Sequence, residues 1–327
     1  MPTRVSLIVL DDVLESAFGV TTDLLEAANR IVAARSGQPP FAMKVVGAAR
    51  RVRTSGGRNL AVDTIFTRAP RSDVVVLMGM NVPLRDELEA ALARPDVKAA
   101  RDFVANQARL GALVCASCSG TFVVAESGLL DGREATTSWW LASVFRQRYP
   151  RVELRDHAVV VSGGRSVVTA GAALSQIDLM LWLVRKVCGP EVANLCARYL
   201  VAGERPSQAR YALLSHVAHE SEEVLLAERF ARRNLHRNIA IGELARAARV
   251  SARTLTRRMH EALGIAPLQF VQRLKIEQAA YLLGTTKLAF DEVAHRVGYA
   301  DPGALRRLLR RELGATARGL RHVPHVT

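Results

Sequence analysis

The sequence has few cysteines and no long hydrophobic run, and each shortage excludes a class of protein. Four cysteines in 327 residues do not form a disulfide framework of the kind that stabilises small secreted domains. No apolar stretch approaches the roughly 20 residues that a helix needs to span a bilayer. The first apolar segment is short and is followed at once by Asp11 and Asp12, unlike a secretory signal peptide. We therefore expect a cytoplasmic protein that has no membrane partner.

Positive charge is concentrated at the C-terminal end of the chain. Residues 229–327 contain 19 Lys and Arg against seven Asp and Glu, a net charge of +12, whereas residues 1–228 carry a net charge of only +2. One strongly basic segment is typical of a domain that contacts nucleic-acid phosphates. The alternative is a basic surface that is merely solvated, but the spacing of the arginines favours DNA binding.

Two helix-turn-helix patterns follow each other in this basic segment, at about residues 241–264 and 290–314. In such a motif the second helix enters the major groove of DNA, and its first residues reach the base edges. Ser251 and Asp301 are suited to cap these second helices. The predicted DNA-contacting residues are Arg253, Thr254, Arg257, Arg258, Arg306, Arg307, Arg310 and Arg311. An apolar helix over 267–283 is predicted to fix the distance between the two motifs.

The segment before the basic region alternates short apolar strands with helices. This order predicts an α/β domain with a mostly parallel sheet covered on both faces. We place this domain at 1–201, a linker and lead-in helix at 202–228, and an all-α DNA-binding domain at 229–327. Within the linker, 203–208 has the most linker-like composition, and 211–229 is predicted to be helical.

Cys118 lies where a buried strand turns abruptly into a helix. A thiol in such an elbow sits beside a helix N-terminus, which favours the thiolate. A site-lining role is one interpretation, and a small buried core residue is the other. The C-x-x-C string of Cys115 and Cys118 is a poor match to a redox pair, because Cys115 falls inside the strand. His216 and His219 have a spacing that could bind metal, but a solvated linker helix explains them better, and we predict no metal site or cofactor.

Both halves of the chain resemble known families. Residues 229–327 are similar to the AraC/XylS DNA-binding domain, on the strength of V-S-x-R-x-L-x-R and V-A-x-x-V-G-Y-x-D. Residues 1–201 resemble the PfpI-like, glutamine-amidotransferase-related domain, on the strength of SDVVVLMG and GALVCASCSGTFVVAESGLLDGREATT. The combination resembles the GlxA-type group of AraC regulators. The resemblance implies a flavodoxin-like sheet in the first domain.

The resemblance also implies catalytic residues that this chain lacks. Ala17 stands where an acidic residue is expected, with Glu15 two positions away, and Ser119 and Ser138 stand where a histidine is expected. Without a base, a cysteine nucleophile is not activated. The resemblance therefore implies an effector pocket without catalytic residues, lined by Cys118, Ser119, Met80, Asn81, Trp139 and Trp140. The two tryptophans suit either a cage for a cationic ammonium group or ordinary core packing.

These observations predict a DNA-binding transcription regulator, expected to be an activator, that responds to a small nitrogenous metabolite. Its expected partners are double-stranded promoter DNA, the effector, RNA polymerase and a second copy of the chain. One alternative is a cysteine-dependent hydrolase or glyoxalase-like enzyme fused to a DNA-binding domain. A second alternative is an architectural DNA binder whose N-terminal domain is inert.

Overall fold

The computed structural model describes residues 1–202, 221–313 and 316–321. The chain divides into two compact units, Met1–Gln208 and Ala209–Thr327. The first is an α/β unit and the second is helical throughout its described part, which confirms the predicted fold class. The predicted linker at 203–208 and most of the predicted helix at 211–229 lie outside the described residues.

The first unit is built around a seven-stranded sheet. Its strands, with the short ones beside it, are β1 (Thr3–Ile8), β2 (Phe41–Gly47), β3 (Arg51–Arg53), β4 (Asn59–Ala61), β5 (Thr64–Ile65), β6 (Val74–Leu77), β7 (Leu113–Ser117), β8 (Glu134–Ala135), β9 (Glu153–Leu154), β10 (Val160–Ser162) and β11 (Val167–Ala170). The order in the sheet is β10-β11-β7-β6-β1-β2-β5, and only the β10–β11 pair is antiparallel. The short strands β3 and β4 pair antiparallel with each other in a separate hairpin.

Helices cover both faces of this sheet. They are α1 (Glu15–Ser36), α2 (Arg85–Ala93), α3 (Pro95–Arg109), α4 (Gly120–Glu126), α5 (Ala142–Arg148), α6 (Gln176–Cys188) and α7 (Pro190–Tyr199), with 3-10 turns at Phe66–Arg68, Trp139–Leu141 and Ala173–Ser175. Helices α1, α6 and α7 pack in one core with Val74 and Val76, and α2 to α5 pack in the other with Val75 and Leu77. Successive residues of β6 therefore enter opposite cores, as expected for a buried parallel strand.

The apolar spacing of the sequence predicts helices near 22–34 and over 172–187, and both begin elsewhere in the structure. Helix α1 starts at Glu15, and Thr21 and Thr22 stay inside it because they donate their hydroxyl protons to carbonyls one turn earlier. The second segment begins with the 3-10 turn at Ala173–Ser175, and α6 starts at Gln176.

The second unit consists of seven described helices. They are α8 (Glu222–Arg233), α9 (Ile241–Ala247), α10 (Ala252–Leu263), α11 (Pro267–Thr285), α12 (Phe290–Arg296), α13 (Pro302–Leu313) and α14 (Ala317–Arg321). Helices α8 to α10 enclose one small core, and α12 to α14 enclose another. Helix α11 contributes Phe270 and Leu274 to the first core and Ala279 and Leu283 to the second.

No helix in the described part of the chain is long and apolar enough to cross a membrane.

Candidate DNA interface and ligand site

The first helix-turn-helix unit consists of α9 and α10, joined by a turn at Arg249. Arg249 has a φ of 58°, a left-handed conformation that favours glycine. Ser251 then caps α10, because its Oγ accepts a hydrogen bond of 3.1 Å from the Thr254 amide. Leu255 and Met259 are buried, so the opposite side of α10 faces outward. The sequence therefore orients α10 through one cap and one apolar stripe.

The outward side of α10 carries the arginines predicted to contact DNA. Arg253, Arg257 and Arg258 are exposed, whereas Thr254 is half-buried and its hydroxyl lies 2.9 Å from that of Ser251. Arg257 forms an ion pair of 3.2 Å with Glu261 one turn later. Exposed ion pairs of this kind are weak, at about 0–1 kcal/mol, so Arg257 can exchange its partner for a phosphate.

Arg258 has an acidic neighbour on another helix that sequence reasoning missed. Its Nε lies 3.6 Å from Glu223, in the first turn of α8. A hydrogen bond from Ser221 and, to a smaller extent, the positive charges of Arg258 and Arg257 lower the pKa of the Glu223 carboxyl. Glu223 therefore remains ionised beside the predicted DNA-contacting side chains. Nothing in the sequence indicates this contact, since the two residues are far apart along the chain.

The second helix-turn-helix unit repeats this arrangement with α12 and α13. The turn is made at Gly298, with a φ of 73°, and the Asp301 carboxylate accepts hydrogen bonds from the amides of Gly303 (2.7 Å) and Ala304 (3.1 Å). Leu305, Leu308 and Leu309, whose helical spacing predicts one inward-facing stripe, are buried. As in the first helix-turn-helix unit, a polar cap and an apolar stripe leave one side of the helix free for arginines.

The four predicted arginines of α13 are all exposed, but their surroundings differ. The Arg306 guanidinium lies 4.9 Å from the centre of the Phe290 ring, and Arg307 is 3.4 Å from Asp301. Arg311 pairs with Glu312 at 2.7 Å. Arg310 forms no ion pair within the described ranges. Arg253 in α10 and Arg306 likewise form no ion pair there, but Arg306 lies against an aromatic ring, so Arg253 and Arg310 are the predicted arginines with neither contact.

In the first unit, Cys118 occupies the predicted elbow between β7 and α4. Its φ of 54° is a left-handed conformation, rare for a residue with a side chain. The Cys118 amide donates to the carbonyls of Ala170 (3.1 Å) and Gly171 (2.9 Å), which hold the turn in place. Gly79 packs so closely that a Cβ there would lie 2.6 Å from that of Cys118. The elbow is thus enclosed by backbone on two sides.

The Cys118 thiol is partnered by a serine. Ser138 Oγ donates a hydrogen bond of 2.9 Å to Cys118 Sγ, and only 2 % of Cys118 is exposed. Burial raises the pKa of this thiol, and the hydrogen bonds from Ser138 and Ser119 offset only part of that effect. Glu15, the nearest acidic residue in sequence to the expected position, instead accepts a hydrogen bond of 2.5 Å from Thr54 and pairs with Arg58.

The other residues of the predicted pocket lie in different environments. Ser119 Oγ accepts from the Met80 amide at 2.8 Å, and both residues are buried, whereas Asn81 is exposed. The rings of Trp139 and Trp140 meet edge to face, with centroids 5.2 Å apart and planes at 85°. Trp140 also packs on the core, and its buried Nε1 has no hydrogen-bond partner among the described residues.

The remaining candidates for redox or metal chemistry are the other cysteines and the histidine pair at 216 and 219. Cys115 faces the core formed with α1 and α6, where burial raises the pKa of its thiol to about 12. All four cysteines are free. His216 and His219 lie outside the described ranges, and within those ranges no group of three or more His, Cys, Asp or Glu side chains is placed to hold a metal ion.

We expect Cys118 to react slowly with iodoacetamide. At neutral pH its raised pKa leaves the thiol protonated, and burial keeps the reagent out, so alkylation should be at least about tenfold slower than in the urea-unfolded chain. Mass spectrometry of the Cys118 peptide over time measures both rates. Fast alkylation of the folded protein near pH 7 would contradict this expectation and would favour a catalytic thiolate.

Comparisons with known proteins cover both units. The model of the DJ-1/PfpI family matches residues 3–186, and that of a helix-turn-helix domain matches residues 244–322. The HTH-type transcriptional regulator CdhR of Pseudomonas aeruginosa is 27% identical over 81% of this chain and 76% of its own length. The HTH-type transcriptional regulator GlxA of Rhizobium meliloti is 26% identical over 69% of this chain and 70% of its own length.

A solved structure shows the same fold in the first unit. The crystal structure of an AraC family transcriptional regulator from Pseudomonas putida aligns with a TM-score of 0.50 and 22% identity. The alignment covers 61% of this chain and 100% of that structure.

Proposed function

The chain belongs to the DJ-1/PfpI family and ends in a helix-turn-helix domain, and from this premise we propose that it regulates transcription by binding specific DNA sequences in response to a small effector. The relatives CdhR and GlxA, which span both units, are named as transcriptional regulators. The predicted resemblance to regulators of this kind is confirmed, and the matches favour regulation over the enzyme alternative.

The observation that carries the proposal is the pair of capped helices α10 and α13. Each turns an apolar stripe inward and presents exposed arginines outward. A second helix of this type can enter the major groove, with its early residues at the bases and its later residues at the phosphates. The 19-residue helix α11, about 28 Å long at 1.5 Å per residue, links the two helix-turn-helix units. Two consecutive major-groove segments are the expected target.

Selection of bound sequences from random double-stranded DNA tests this function. We expect the full-length protein to enrich sequences with two preferred blocks about 10 base pairs apart, one helical turn of DNA. Binding to the enriched sequence should exceed binding to a shuffled sequence at the same salt concentration by at least about 10³-fold. Equal affinity for both would contradict sequence-specific regulation and would favour an architectural DNA binder.

We further propose that the first unit senses a ligand and does not catalyse a reaction. Support comes from the surroundings of Cys118, where a serine hydroxyl takes the place of a base and burial disfavours the thiolate. The predicted lining of Cys118, Ser119, Met80, Asn81, Trp139 and Trp140 is part of this proposal. Its ligand would change DNA affinity or polymerase contact by favouring one arrangement of the protein.

The proposal extends to partners and boundaries. A second copy of the chain and RNA polymerase are the expected protein partners, and activation is the expected outcome. The sensing domain is assigned to 1–201 and the DNA-binding domain to 229–327.

A further inference from the structure

A buried lysine lies at the middle of α11. Lys275 is 5 % exposed and is the only lysine or arginine that is buried in the described part of the chain. It stands between Leu274, in the core of α8 to α10, and Ile276, in the core of α12 to α14. Burial lowers the pKa of its amino group, and no carboxylate within the described ranges pairs with it. Since an apolar side chain would avoid this loss of hydration, packing alone does not account for the lysine.

The amino group of Lys275 is bonded to the turn of the second helix-turn-helix unit. Its Nζ donates a hydrogen bond of 3.2 Å to the Gly298 carbonyl and lies 5.3 Å from the centre of the Tyr299 ring. Gln272, one turn earlier on the same side of α11, forms a hydrogen bond with the Tyr299 side chain. Two polar side chains of one helix thus hold two consecutive residues of the turn between α12 and α13.

The same turn also approaches the core of α8 to α10. A Cβ on Gly298 would lie 2.6 Å from Lys275 Nζ and 2.7 Å from the Leu235 carbonyl oxygen. Leu235 follows α8 and is buried in the core that α8 shares with α9 and α10. Gly298 therefore lies close both to α11 and to a segment of the other core, so the turn is tied to both halves of the DNA-binding domain.

Hydrogen bonds fix the position of this turn more closely than apolar contacts could. They weaken steeply as their angle departs from linear, whereas the burial of apolar surface has no preferred direction. Helix α13 begins at Pro302, four residues after Gly298, so a shift of the turn also displaces Arg306 and Arg310. Successive base pairs are about 3.4 Å apart along DNA. A displacement of that size between the two helix-turn-helix units is enough to change which base pairs these arginines reach.

We propose that Lys275, assisted by Gln272, positions α13 relative to α10 and so sets the spacing of the two DNA blocks that the protein accepts. The inference rests on the proposed function, because it assigns the spacing preference of that DNA interface to two residues of α11. Lys275 is buried and bonded to backbone, so it acts on DNA only through the turn that it holds.

Fluorescence anisotropy of the full-length protein with four DNA duplexes tests this role at one salt concentration. One duplex carries both selected blocks at the selected spacing, and a second has one base pair inserted between them. In each of the other two, one block is replaced by shuffled sequence. The wild-type protein should bind the first duplex at least about 100-fold more tightly than either single block, because its second contact is intramolecular. The inserted base pair should remove most of that gain.

Lys275→Met keeps an unbranched apolar side chain and removes the hydrogen-bond donor. The gain from the second block should fall at least about tenfold, because a loosened turn lowers the effective concentration of the second contact. The two spacings should then differ in affinity by less than about threefold. Affinity for each single block should change less than about twofold, since both cores, both caps and the exposed arginines remain.

The matched control is Lys287→Met, which removes an exposed lysine between α11 and α12. It should weaken binding to all four duplexes equally and leave the spacing preference unchanged, because only the general attraction to phosphates is reduced.

Two results with Lys275→Met would overturn the proposal. One is a spacing preference that survives the substitution. The other is an equal loss of affinity for all four duplexes, which would show that Lys275 only supports the fold. If thermal unfolding shows that this variant does not fold, Tyr299→Phe decides instead. It keeps the ring beside Lys275 Nζ and loses the hydroxyl that Gln272 bonds, and it should narrow the spacing preference about threefold. An unchanged preference would overturn the proposal.

The wild-type measurements separate this inference from the proposed function. A protein that selects a DNA sequence but binds both spacings equally has no positioning device at Lys275, and regulation stands. A protein that selects no DNA sequence contradicts the proposed function itself.

Discussion

Gly298→Ala is expected to lower the free energy of unfolding of the C-terminal unit by about 3 kcal/mol. Alanine at a φ of 73° is strained by about 1–2 kcal/mol. The added Cβ would also lie 2.7 Å from the Leu235 carbonyl oxygen and 2.8 Å from the His236 carbonyl carbon. These are backbone atoms, which cannot rotate away as a side chain does, and such overpacking costs a further 1–3 kcal/mol or so.

Calorimetric unfolding of the full chain measures this effect, and Gly242→Ala is the matched control. Gly242 lies inside α9 with a helical φ, and nothing stands within 4 Å of its added Cβ. Alanine there should stabilise the protein by up to about 1 kcal/mol, because it favours the helix. Equal stability of the two variants would show that the turn at Gly298 is more adaptable than its contacts indicate.

The double variant Arg253→Ala/Arg310→Ala is expected to lose nearly all specific DNA binding. These arginines are exposed, lie on two different helices, α10 and α13, and have no ion-pair partner within the described ranges. If each reads a guanine, each truncation costs about 1–3 kcal/mol. Because α10 and α13 belong to separate cores, we expect the losses to add, to a factor between about 30 and 10⁴ in the dissociation constant.

Fluorescence anisotropy with the selected DNA measures that factor at one fixed salt concentration. The control is Arg233→Ala, which removes a charge that is also exposed, from α8. It should weaken binding only slightly and equally for all DNA sequences, because it reduces only the sequence-independent electrostatic attraction to the phosphates. If the double variant bound the selected DNA as tightly as this control does, base recognition would have to be assigned to other residues of α10 and α13.

Features that depend on neighbouring residues could be predicted from the sequence. The caps at Ser251 and Asp301 and the buried stripe of α13 follow from residue types at fixed spacing, and the structure confirms them. The abrupt strand-to-helix turn at Cys118 is likewise encoded in consecutive residues.

The contacts that sequence reasoning missed join residues far apart along the chain. The hydrogen bond from Ser138 to Cys118, the ion pair of Arg258 with Glu223, and the reach of Arg94 to Asp12 depend on which elements pack together. Local periodicity carries no information on such pairs. The start of α1 was missed for another reason, since threonines that disfavour helices in general were satisfied here by hydrogen bonds to the helix itself.

Helix α11 constrains how the two helix-turn-helix units can change during evolution. Its first half completes one core through Phe270 and Leu274, and its second half completes the other through Ala279 and Leu283. Because both helix-turn-helix units share this helix, the sequence of one unit cannot change independently of the other. A substitution in α11 that loosens one core also changes the spacing of both helix-turn-helix units, so we expect this helix to tolerate fewer changes than the exposed arginines above it.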